Sequence, residues 1–331
     1  MIENIEIIDI KFGYSCNNNC IHCVIAGHRE RLRKEGKPID RTTEEIKKHL
    51  LEAKEKGAKS VVFTGGEVTI RKDFFELLEF ATNLGLKVSL QTNGRAFYNK
   101  AFAEKTLKTA QDMHFEIAIH SSIEKNHDRI TRVKGSWKQT MQGIKNLLEA
   151  SAKSLNFKVV ISRLNYKDLS EIVELAKGFG VKQVDIAFPH GMGNALKYWY
   201  EIIPRYSEIK EYILEAAKVS KESGVKVTFE AIPFCLLRGY EDCVSETTFL
   251  EEFLEGETTE LRQVGDPVMN WQKERLSIKA KAPQCKDCKY FFVCEGVWRE
   301  YIELYGDREF EPIRGEIVKS LSILKGNGNV S

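Results

Sequence analysis

The chain has 331 residues, 42% of them hydrophobic, with 50 basic and 48 acidic side chains and a formal net charge of +2. This length suits one large α/β unit with a small appendage, and the near balance of charge gives no electrostatic case for nucleic acid as a partner. The sequence has no apolar run near the roughly 20 residues of a membrane span, and its N-terminus lacks the pattern of a secretory signal. We therefore expect a cytoplasmic protein that does not bind membranes.

Strands and helices alternate through the first part of the chain. Two of the helices begin with a capping box, formed by Thr42 with Glu45 and by Asp73 with Glu76. Apolar strands separated by helices favour a parallel sheet whose outer face is covered. The predicted fold is therefore α/β, a partial (β/α)6 parallel barrel with its chemistry at the carboxyl ends of the strands. Six strands are predicted, at 5–13, 59–63, 86–91, 115–120, 157–162 and 183–188.

The pattern changes after the turn Gly191-Met192-Gly193. A long helix is predicted over 206–223, followed by a strand, VKVTFEA, and by an irregular segment that carries cysteines. We place a boundary near residue 200, which gives a barrel over 1–200 and a small C-terminal domain over 201–331.

Eight cysteines in a cytosolic chain indicate metal binding or catalysis more than disulfides. Cys16, Cys20 and Cys23 follow the first strand, at spacings that let one loop turn three thiolates toward a common point. At a tetrahedral zinc ion they would need a fourth ligand, which His22 or His28 could supply. On a [4Fe–4S] cluster they would leave one iron open to a small molecule.

Three motifs together resemble the radical S-adenosylmethionine (SAM) superfamily, over residues 5 to about 195. They are the cysteine triplet after the first strand, Gly65-Gly66-Glu67 after the second and Gln91-Thr92-Asn93-Gly94 after the third. Two positions depart from the family pattern: His22 stands where an aromatic residue is frequent, and Val68 where proline is frequent. Neither departure removes a ligand.

The resemblance implies a [4Fe–4S] cluster on the catalytic Cys16, Cys20 and Cys23, with the methionine part of SAM on the open iron. Reductive cleavage of SAM would then give a 5′-deoxyadenosyl radical that abstracts a hydrogen atom from the substrate. Glu67 would accept a hydrogen bond from the amino group of SAM, and Arg132 is a candidate partner for its carboxylate. Further cofactor contacts are expected at the strand ends, at Gly65, Gly66, Thr69, Asn93, His120, Ser121, Asn165 and the 191–193 turn. For Ser121 and Asn165 the alternative is that they cap the helices that follow.

A second group of cysteines, Cys285, Cys288 and Cys294, has the spacing C-x2-C-x5-C, with Cys235 and Cys243 upstream. This pattern resembles the core of the SPASM and twitch extensions of radical SAM enzymes, which hold auxiliary clusters. We expect Cys235, Cys285, Cys288 and Cys294 to hold one auxiliary [4Fe–4S] cluster, with Cys243 either free or in the place of Cys235. Zinc on four thiolates is the alternative at this site.

By this resemblance the chain is expected to be an oxidoreductase or maturase that modifies a ribosomal peptide or protein. Its electron donor would be a flavodoxin or a ferredoxin. One alternative is a radical SAM step on a small molecule in cofactor or nucleoside biosynthesis. A non-catalytic zinc-binding interaction protein is an alternative of a different class, but it would not explain Gly65-Gly66-Glu67 at a strand end.

Overall fold

A mostly parallel sheet organises the structure, a computed structural model that describes residues 4–245 and 257–320. Within these residues the sheet has nine strands in the order β7-β6-β5-β4-β3-β2-β1-β8-β9. Neighbouring strands from β7 through β1 to β8 are parallel, and β9 is antiparallel to β8. The strands are β1 (Asn4–Lys11), β2 (Ser60–Thr64), β3 (Lys87–Thr92), β4 (His114–Ala118), β5 (Ser154–Val160), β6 (Gln183–Ala187), β7 (Lys226–Glu230), β8 (Glu257–Arg262) and β9 (Met269–Asn270).

Helices connect most of these strands. The α-helices are α1 (Ile25–Lys34), α2 (Thr43–Glu55), α3 (Phe74–Asn83), α4 (Lys100–Thr109), α5 (Glu124–Thr131), α6 (Ser136–Glu149), α7 (Leu169–Gly178), α8 (Gly193–Lys197), α9 (Trp199–Ile202), α10 (Tyr206–Ser223), α11 (Trp271–Ile278) and α12 (Arg299–Tyr305). Among them, none combines the length and the hydropathy needed to cross a membrane.

The six predicted strands are confirmed as β1 to β6. The predicted strand VKVTFEA is confirmed as β7, which pairs with β6. At the opposite side β8 pairs with β1, so the parallel sheet continues past the predicted six strands in both directions.

One of the two predicted capping boxes is present. Thr42 and Glu45 cap α2 reciprocally, as expected. The second box is wrong, because the Asp73 carboxylate makes no capping hydrogen bond to α3. It accepts hydrogen bonds from the Arg71 guanidinium, at 2.7 and 2.8 Å, and from the Thr43 hydroxyl, at 2.6 Å.

The two faces of the sheet differ in polarity. Phe115 and Ile117 of β4 and Phe157 of β5 are fully buried in the core on the outer face. Burial of each such side chain contributes about 1.5–3 kcal/mol. The alternating residues, such as Glu116 and Lys158, lie on the concave inner face. Our prediction of continuous apolar strands was therefore too simple: the strands alternate because the inner face lines a cavity instead of a core.

The C-terminal segment packs against the carboxyl end of β6. It contains a small antiparallel sheet of β10 (Lys279–Ala280) and β11 (Val297–Trp298). The Trp298 indole Nε1 donates a hydrogen bond to the Phe188 carbonyl at 3.0 Å. The backbone N–H of Tyr206 donates to the Tyr301 hydroxyl at 2.9 Å. These contacts bring Trp298 to the edge of the inner cavity.

Candidate active site

The cysteine triplet lies on the loop between β1 and α1, at the carboxyl end of the sheet. Cys16, Cys20 and Cys23 all line one cavity of about 410 Å³. Burial raises the pKa of Cys16 to about 11 and also raises the pKa of Cys20 and of Cys23. For Cys20 the neighbouring thiols add to the rise in pKa. Three closely spaced buried thiols become favourable thiolates only when a cationic centre shares the site.

Backbone contacts from three directions hold this loop. The Asn194 amide Nδ2 donates to the Cys20 carbonyl at 2.8 Å, and the Asn194 N–H donates to the Cys23 carbonyl at 3.0 Å. Arg95 donates to the Asn17 carbonyl at 2.6 Å, and the Ile21 N–H donates to the Ile130 carbonyl at 2.9 Å. Hydrogen bonds from three other segments therefore hold the backbone of this loop in place.

The turn Gly191-Met192-Gly193, which we predicted as a cofactor contact, supports the cysteine loop and is absent from the described cavity lining. A Cβ atom on Gly193 would lie 2.5 Å from the carbonyl oxygens of Cys23 and Val24. Close approach of two backbones therefore explains this glycine.

Gly65-Gly66-Glu67 lies directly after β2 and lines the same cavity. The Gly66 N–H donates to the Gly13 carbonyl at 2.8 Å, and the Glu67 N–H donates to the Ser15 carbonyl at 2.9 Å. A Cβ on Gly66 would lie 2.0 Å from the Ser15 oxygen. The glycines thus let this segment pack on the backbone that leads into Cys16.

The Glu67 carboxylate is buried and already accepts several hydrogen bonds. Its Oε1 accepts from the hydroxyls of Thr69 and Thr92, at 2.6 and 2.7 Å, and its Oε2 accepts from the Asn93 N–H at 2.7 Å. Burial raises the pKa of Glu67, and these donors oppose the rise. Since each carboxylate oxygen can accept about two hydrogen bonds, Oε2 retains acceptor capacity toward the cavity.

Asn93 and His120 also line the cavity. The Asn93 side chain donates to Asn17 of the cysteine loop at 2.7 Å. The His120 and His22 rings meet edge to face, with centroids 4.5 Å apart, and neither Nδ1 atom has a hydrogen-bond partner among the described residues. Burial lowers the pKa of His22 to about 4 and the pKa of His120 as well, so both imidazoles are neutral near pH 7.

The two histidines considered as zinc ligands are placed differently. Metal-ligating atoms of Cys20, His22 and His120 lie within 4.8 Å of one another. His28, by contrast, lies beside Asp266, with Nδ1 3.5 Å from its carboxylate, and does not belong to the described cavity lining.

Three predicted cofactor contacts, Thr69, Ser121 and Asn165, are not part of the cavity lining that the structure describes. Thr69 binds Glu67. The Ser121 hydroxyl donates to Asp168 and accepts from the Ile123 N–H at 3.0 Å. The Asn165 amide donates to the His120 carbonyl at 2.6 Å. These side chains support the loops that carry the cavity residues.

The second cysteine group surrounds a separate cavity. Cys235, Cys285, Cys288 and Cys294 all line it. Burial and the three neighbouring thiols raise the pKa of Cys235 to about 12. Backbone N–H groups of Gly296 and Ile313 donate to the sulfurs of Cys294 and Cys288, at 3.3 and 3.4 Å. Such donors tune metal-bound thiolates.

Cys243 lies apart from this group. It is buried near the Lys221–Asp242 ion pair and is not among the lining residues of the second cavity. All eight cysteines lie in the described residues and are free thiols.

The charged and aromatic residues of the inner cavity were not predicted from the sequence as site residues. Two of the aromatic residues stack, since the rings of His190 and Trp298 are 4.2 Å apart and nearly parallel. For two of the charged residues the sequence did contain a signal. Glu116 and Lys158 each interrupt an apolar strand, where an unpaired charge has a high free-energy cost. The missed residues are Lys11, Arg29, Glu116, Lys158, His190, Glu230, Trp271 and Trp298.

A parallel partial barrel with a three-cysteine loop at its carboxyl end defines a metal-dependent class of enzyme. The Radical SAM superfamily model matches residues 10–176, and the chain belongs to this superfamily. It is therefore an enzyme, as predicted, and its superfamily uses a [4Fe–4S] cluster and SAM. The alternative of a non-catalytic zinc-binding module is not supported.

Several proteins are similar to this chain in sequence or in structure. One relative by sequence is the AdoMet-dependent heme synthase of Oleidesulfovibrio alaskensis, which is 25% identical over 317 residues; the match covers 85% of this chain and 79% of that protein. Another is a probable GTP 3′,8-cyclase of Saccharolobus islandicus, 28% identical over 219 residues, or 66% of this chain and 67% of that one. Among solved structures, Streptococcus suis SuiB bound to SAM has a TM-score of 0.62 at 16% identity, covering 95% of this chain and 77% of its own. The enzyme anSMEcpe with bound AdoMet has a TM-score of 0.61 at 15% identity, covering 97% and 95%.

Proposed function

We propose that Cys16, Cys20 and Cys23 hold a [4Fe–4S] cluster that binds SAM, and that the enzyme uses SAM to abstract a hydrogen atom from a substrate in the inner cavity. The observation that carries this proposal is the meeting of three thiols with Gly65-Gly66-Glu67 around one cavity. The donor set fits the cluster, because three thiolates leave one iron without a protein ligand. When bound, the cluster supplies the electron that cleaves SAM to the 5′-deoxyadenosyl radical.

The residues beside the thiols would bind and orient SAM. Glu67 accepts a hydrogen bond from the SAM ammonium through Oε2, while Thr69 holds the same carboxylate in place. Asn93 and His120 offer polar atoms on the adjacent cavity wall. Asn165 fixes the carbonyl of His120, and Ser121 fixes the following loop, so both position residues without touching the cofactor.

Arg29 is a better candidate than Arg132 for the carboxylate of SAM. Arg29 lines the cavity, and its Nε atom has no hydrogen-bond partner within residues 4–245 and 257–320. Its charge also counteracts the rise that burial causes in the pKa of Cys16 and Cys23. Arg132 acts on the pKa of Cys20 in the same direction, but its guanidinium lies over the Tyr198 ring, 5.1 Å from the ring centroid, and is not among the described lining residues.

Replacing Arg29 with methionine is expected to weaken SAM binding by about tenfold to a hundredfold, the range for loss of a charged hydrogen bond. Arg132→Met is the matched control, and its SAM affinity should be close to that of the wild type. Equilibrium binding of SAM to the cluster-loaded protein without reductant measures both. A larger loss for Arg132→Met than for Arg29→Met would reverse the assignment.

The second cysteine group is proposed to hold an auxiliary [4Fe–4S] cluster on Cys235, Cys285, Cys288 and Cys294. Four thiols around one cavity, with backbone N–H donors aimed at two of the sulfurs, support it. Zinc would suit the same four thiolates, and metal analysis separates the two. The electron donor is proposed to be a small redox protein such as a flavodoxin or a ferredoxin.

The substrate is proposed to be a ribosomal peptide or protein. SuiB bound to the precursor peptide SuiA has the same fold over 95% of this chain, and anSMEcpe with a bound peptide has it over 97%. A small molecule in cofactor biosynthesis is the second candidate, supported by the sequence likeness to heme synthases over most of the chain.

Two fractions of one dialysed cell extract separate these candidates. We expect the retained peptides and proteins to stimulate formation of 5′-deoxyadenosine by the reduced enzyme, and the small-molecule dialysate to have little effect. The Cys20→Ala variant measures the background for each fraction. Stimulation by the dialysate alone would favour the small-molecule function.

A further inference from the structure

Glu116 is a charged residue of the inner cavity that has no partner in the described chain. It lies at the middle of β4, on the concave face, between the fully buried Phe115 and Ile117. Its side chain lines the main cavity and also a second opening on the same face of the sheet. No hydrogen bond or ion pair joins its carboxylate to residues 4–245 or 257–320.

Three cations on or beside the inner face of the sheet are paired with other carboxylates. The Lys158 Nζ lies 3.1 Å from the Glu230 carboxylate, and the Lys11 Nζ lies 3.0 Å from Asp9. The Arg275 guanidinium binds Glu230 and also Glu295, at 3.1 and 2.8 Å. Lys158 also attracts Glu116 electrostatically, but its ion pair is with Glu230.

Further negative charge surrounds Glu116. Asp185, Glu230 and Asp9 all lie close enough to raise its pKa, although burial is the largest cause of the rise and Lys158 opposes it. A carboxylate in this position repels an anion and gains most from a ligand that carries positive charge.

The wall between Glu116 and the cysteine loop carries short apolar side chains beside the Lys158–Glu230 ion pair. Ala118 lies two residues beyond Glu116 on β4, level with Lys158 on β5. Val160 and Ala187 lie one inward-facing position further along β5 and β6, and all three apolar residues line the cavity. Short side chains on this wall leave room for an aliphatic segment. A ligand with a cation at one end and a carbon chain behind it matches the Glu116 carboxylate and these short apolar side chains.

We propose that Glu116 binds a cationic group of the substrate, an ammonium or guanidinium on an aliphatic chain, such as a lysine or arginine side chain or a primary alkylamine. The proposal rests on the function proposed above, since it concerns the substrate of the same cavity. With the cation on Glu116, the aliphatic carbons lie along Ala118, Val160 and Ala187, toward Cys16, Cys20 and Cys23. Glu116 therefore selects the substrate and sets which of its carbons faces the cofactor.

The test uses three small probes of similar size and the cluster-loaded enzyme with SAM and without reductant. The probes are n-butylammonium, 1-butanol and pentanoate, and anaerobic calorimetry measures their binding. We expect n-butylammonium to bind more tightly than the neutral and the anionic probe. Glu116→Gln should weaken its binding about tenfold to a hundredfold, the range for a hydrogen bond to a charged group, and should leave 1-butanol unchanged.

Two controls keep the result interpretable. Glu79→Gln changes an exposed carboxylate of α3 and should bind n-butylammonium like the wild type. Glu116→Gln should also unfold at a temperature no lower than the wild type, because it removes a half-buried charge that has no ion-pair partner among the described residues.

Several results would overturn the proposal. They are an equal affinity for n-butylammonium and 1-butanol, an unchanged affinity for n-butylammonium in Glu116→Gln, and no measurable binding of n-butylammonium. Formation of 5′-deoxyadenosine by the same preparation after reduction tests the proposed function separately. If the enzyme cleaves SAM but does not prefer the cationic probe, only the Glu116 proposal is contradicted. If it prefers the cationic probe but does not cleave SAM, only the proposed function is contradicted.

Discussion

Cys20→Ala should reduce 5′-deoxyadenosine formation to the level of an enzyme-free control, whereas Cys288→Ala should retain a measurable part of it. Cys20 lies between two other thiols on the loop that lines the proposed SAM cavity, and the described lining of that cavity offers no further thiol to replace a lost cluster ligand. Cys288 lies in the separate second cavity. Chromatographic quantification of 5′-deoxyadenosine after anaerobic reduction measures both variants.

Iron content tests whether the two cysteine groups hold separate clusters, and it does not depend on turnover. The wild type should bind about eight irons if both sites hold four-iron clusters, and each variant should lose about four of them. Cys243→Ala is the matched control, since this thiol lies outside both cavities, and it should keep the full iron content and activity. Equal loss of SAM cleavage in Cys20→Ala and Cys288→Ala would contradict the separate roles of the two sites.

The strands and the cysteine loop could be predicted from the sequence because each depends on residues that lie close together along the chain. Cys16, Cys20 and Cys23 lie within one loop, so spacing alone brings them together. The capping box of Thr42 and Glu45 is equally local. The capping box predicted at Asp73 shows the limit, because Arg71 and Thr43 both donate to this carboxylate. Thr43 belongs to another helix, and no local pattern reports such a partner.

The fourth residue of the second cysteine group could not be decided from the sequence. Cys235 and Cys243 both lie far before Cys285 along the chain. In the structure a short 3-10 helix (Phe234–Leu236) follows the end of β7 and places Cys235 in the second cavity, while Cys243 packs near Lys221. Only the three-dimensional path of the chain separates the two cysteines.

The charges of the inner cavity were visible in the sequence, but their roles were not. Lys158 and Glu116 interrupt their strands in the same way. Lys158 forms an ion pair with Glu230, which lies 72 residues further along the chain. Glu116 forms no hydrogen bond or ion pair in the part of the chain that the structure describes. Pairing between distant strands therefore decides which charge forms an ion pair within the sheet and which is left for the proposed ligand.

Gly66→Ala is expected to disrupt the active site from a position that carries no reactive group. The added Cβ would lie 2.0 Å from the Ser15 carbonyl oxygen and 2.9 Å from the Tyr14 carbonyl carbon, so the backbone must move. The segment it would move leads into Cys16, and the Gly66 N–H is hydrogen-bonded to the Gly13 carbonyl of the same segment. Overpacking of this kind costs about 1–3 kcal/mol of stability.

Gly178→Ala is the matched control, because the same atom added at the exposed end of α7 has no heavy atom within 4 Å. An alanine in a helix is favoured over glycine by about 0.5–1 kcal/mol, so this variant should unfold at or above the wild-type temperature. Gly66→Ala should unfold at a lower temperature, bind less iron and bind SAM more weakly. Thermal unfolding, iron content and SAM binding are measured on both variants. If Gly66→Ala loses stability but keeps its iron and its SAM affinity, the glycine serves only the packing of β1 against β2. If it loses iron and SAM affinity in proportion to stability, the approach of these two backbones is what holds Cys16 in place for the cluster.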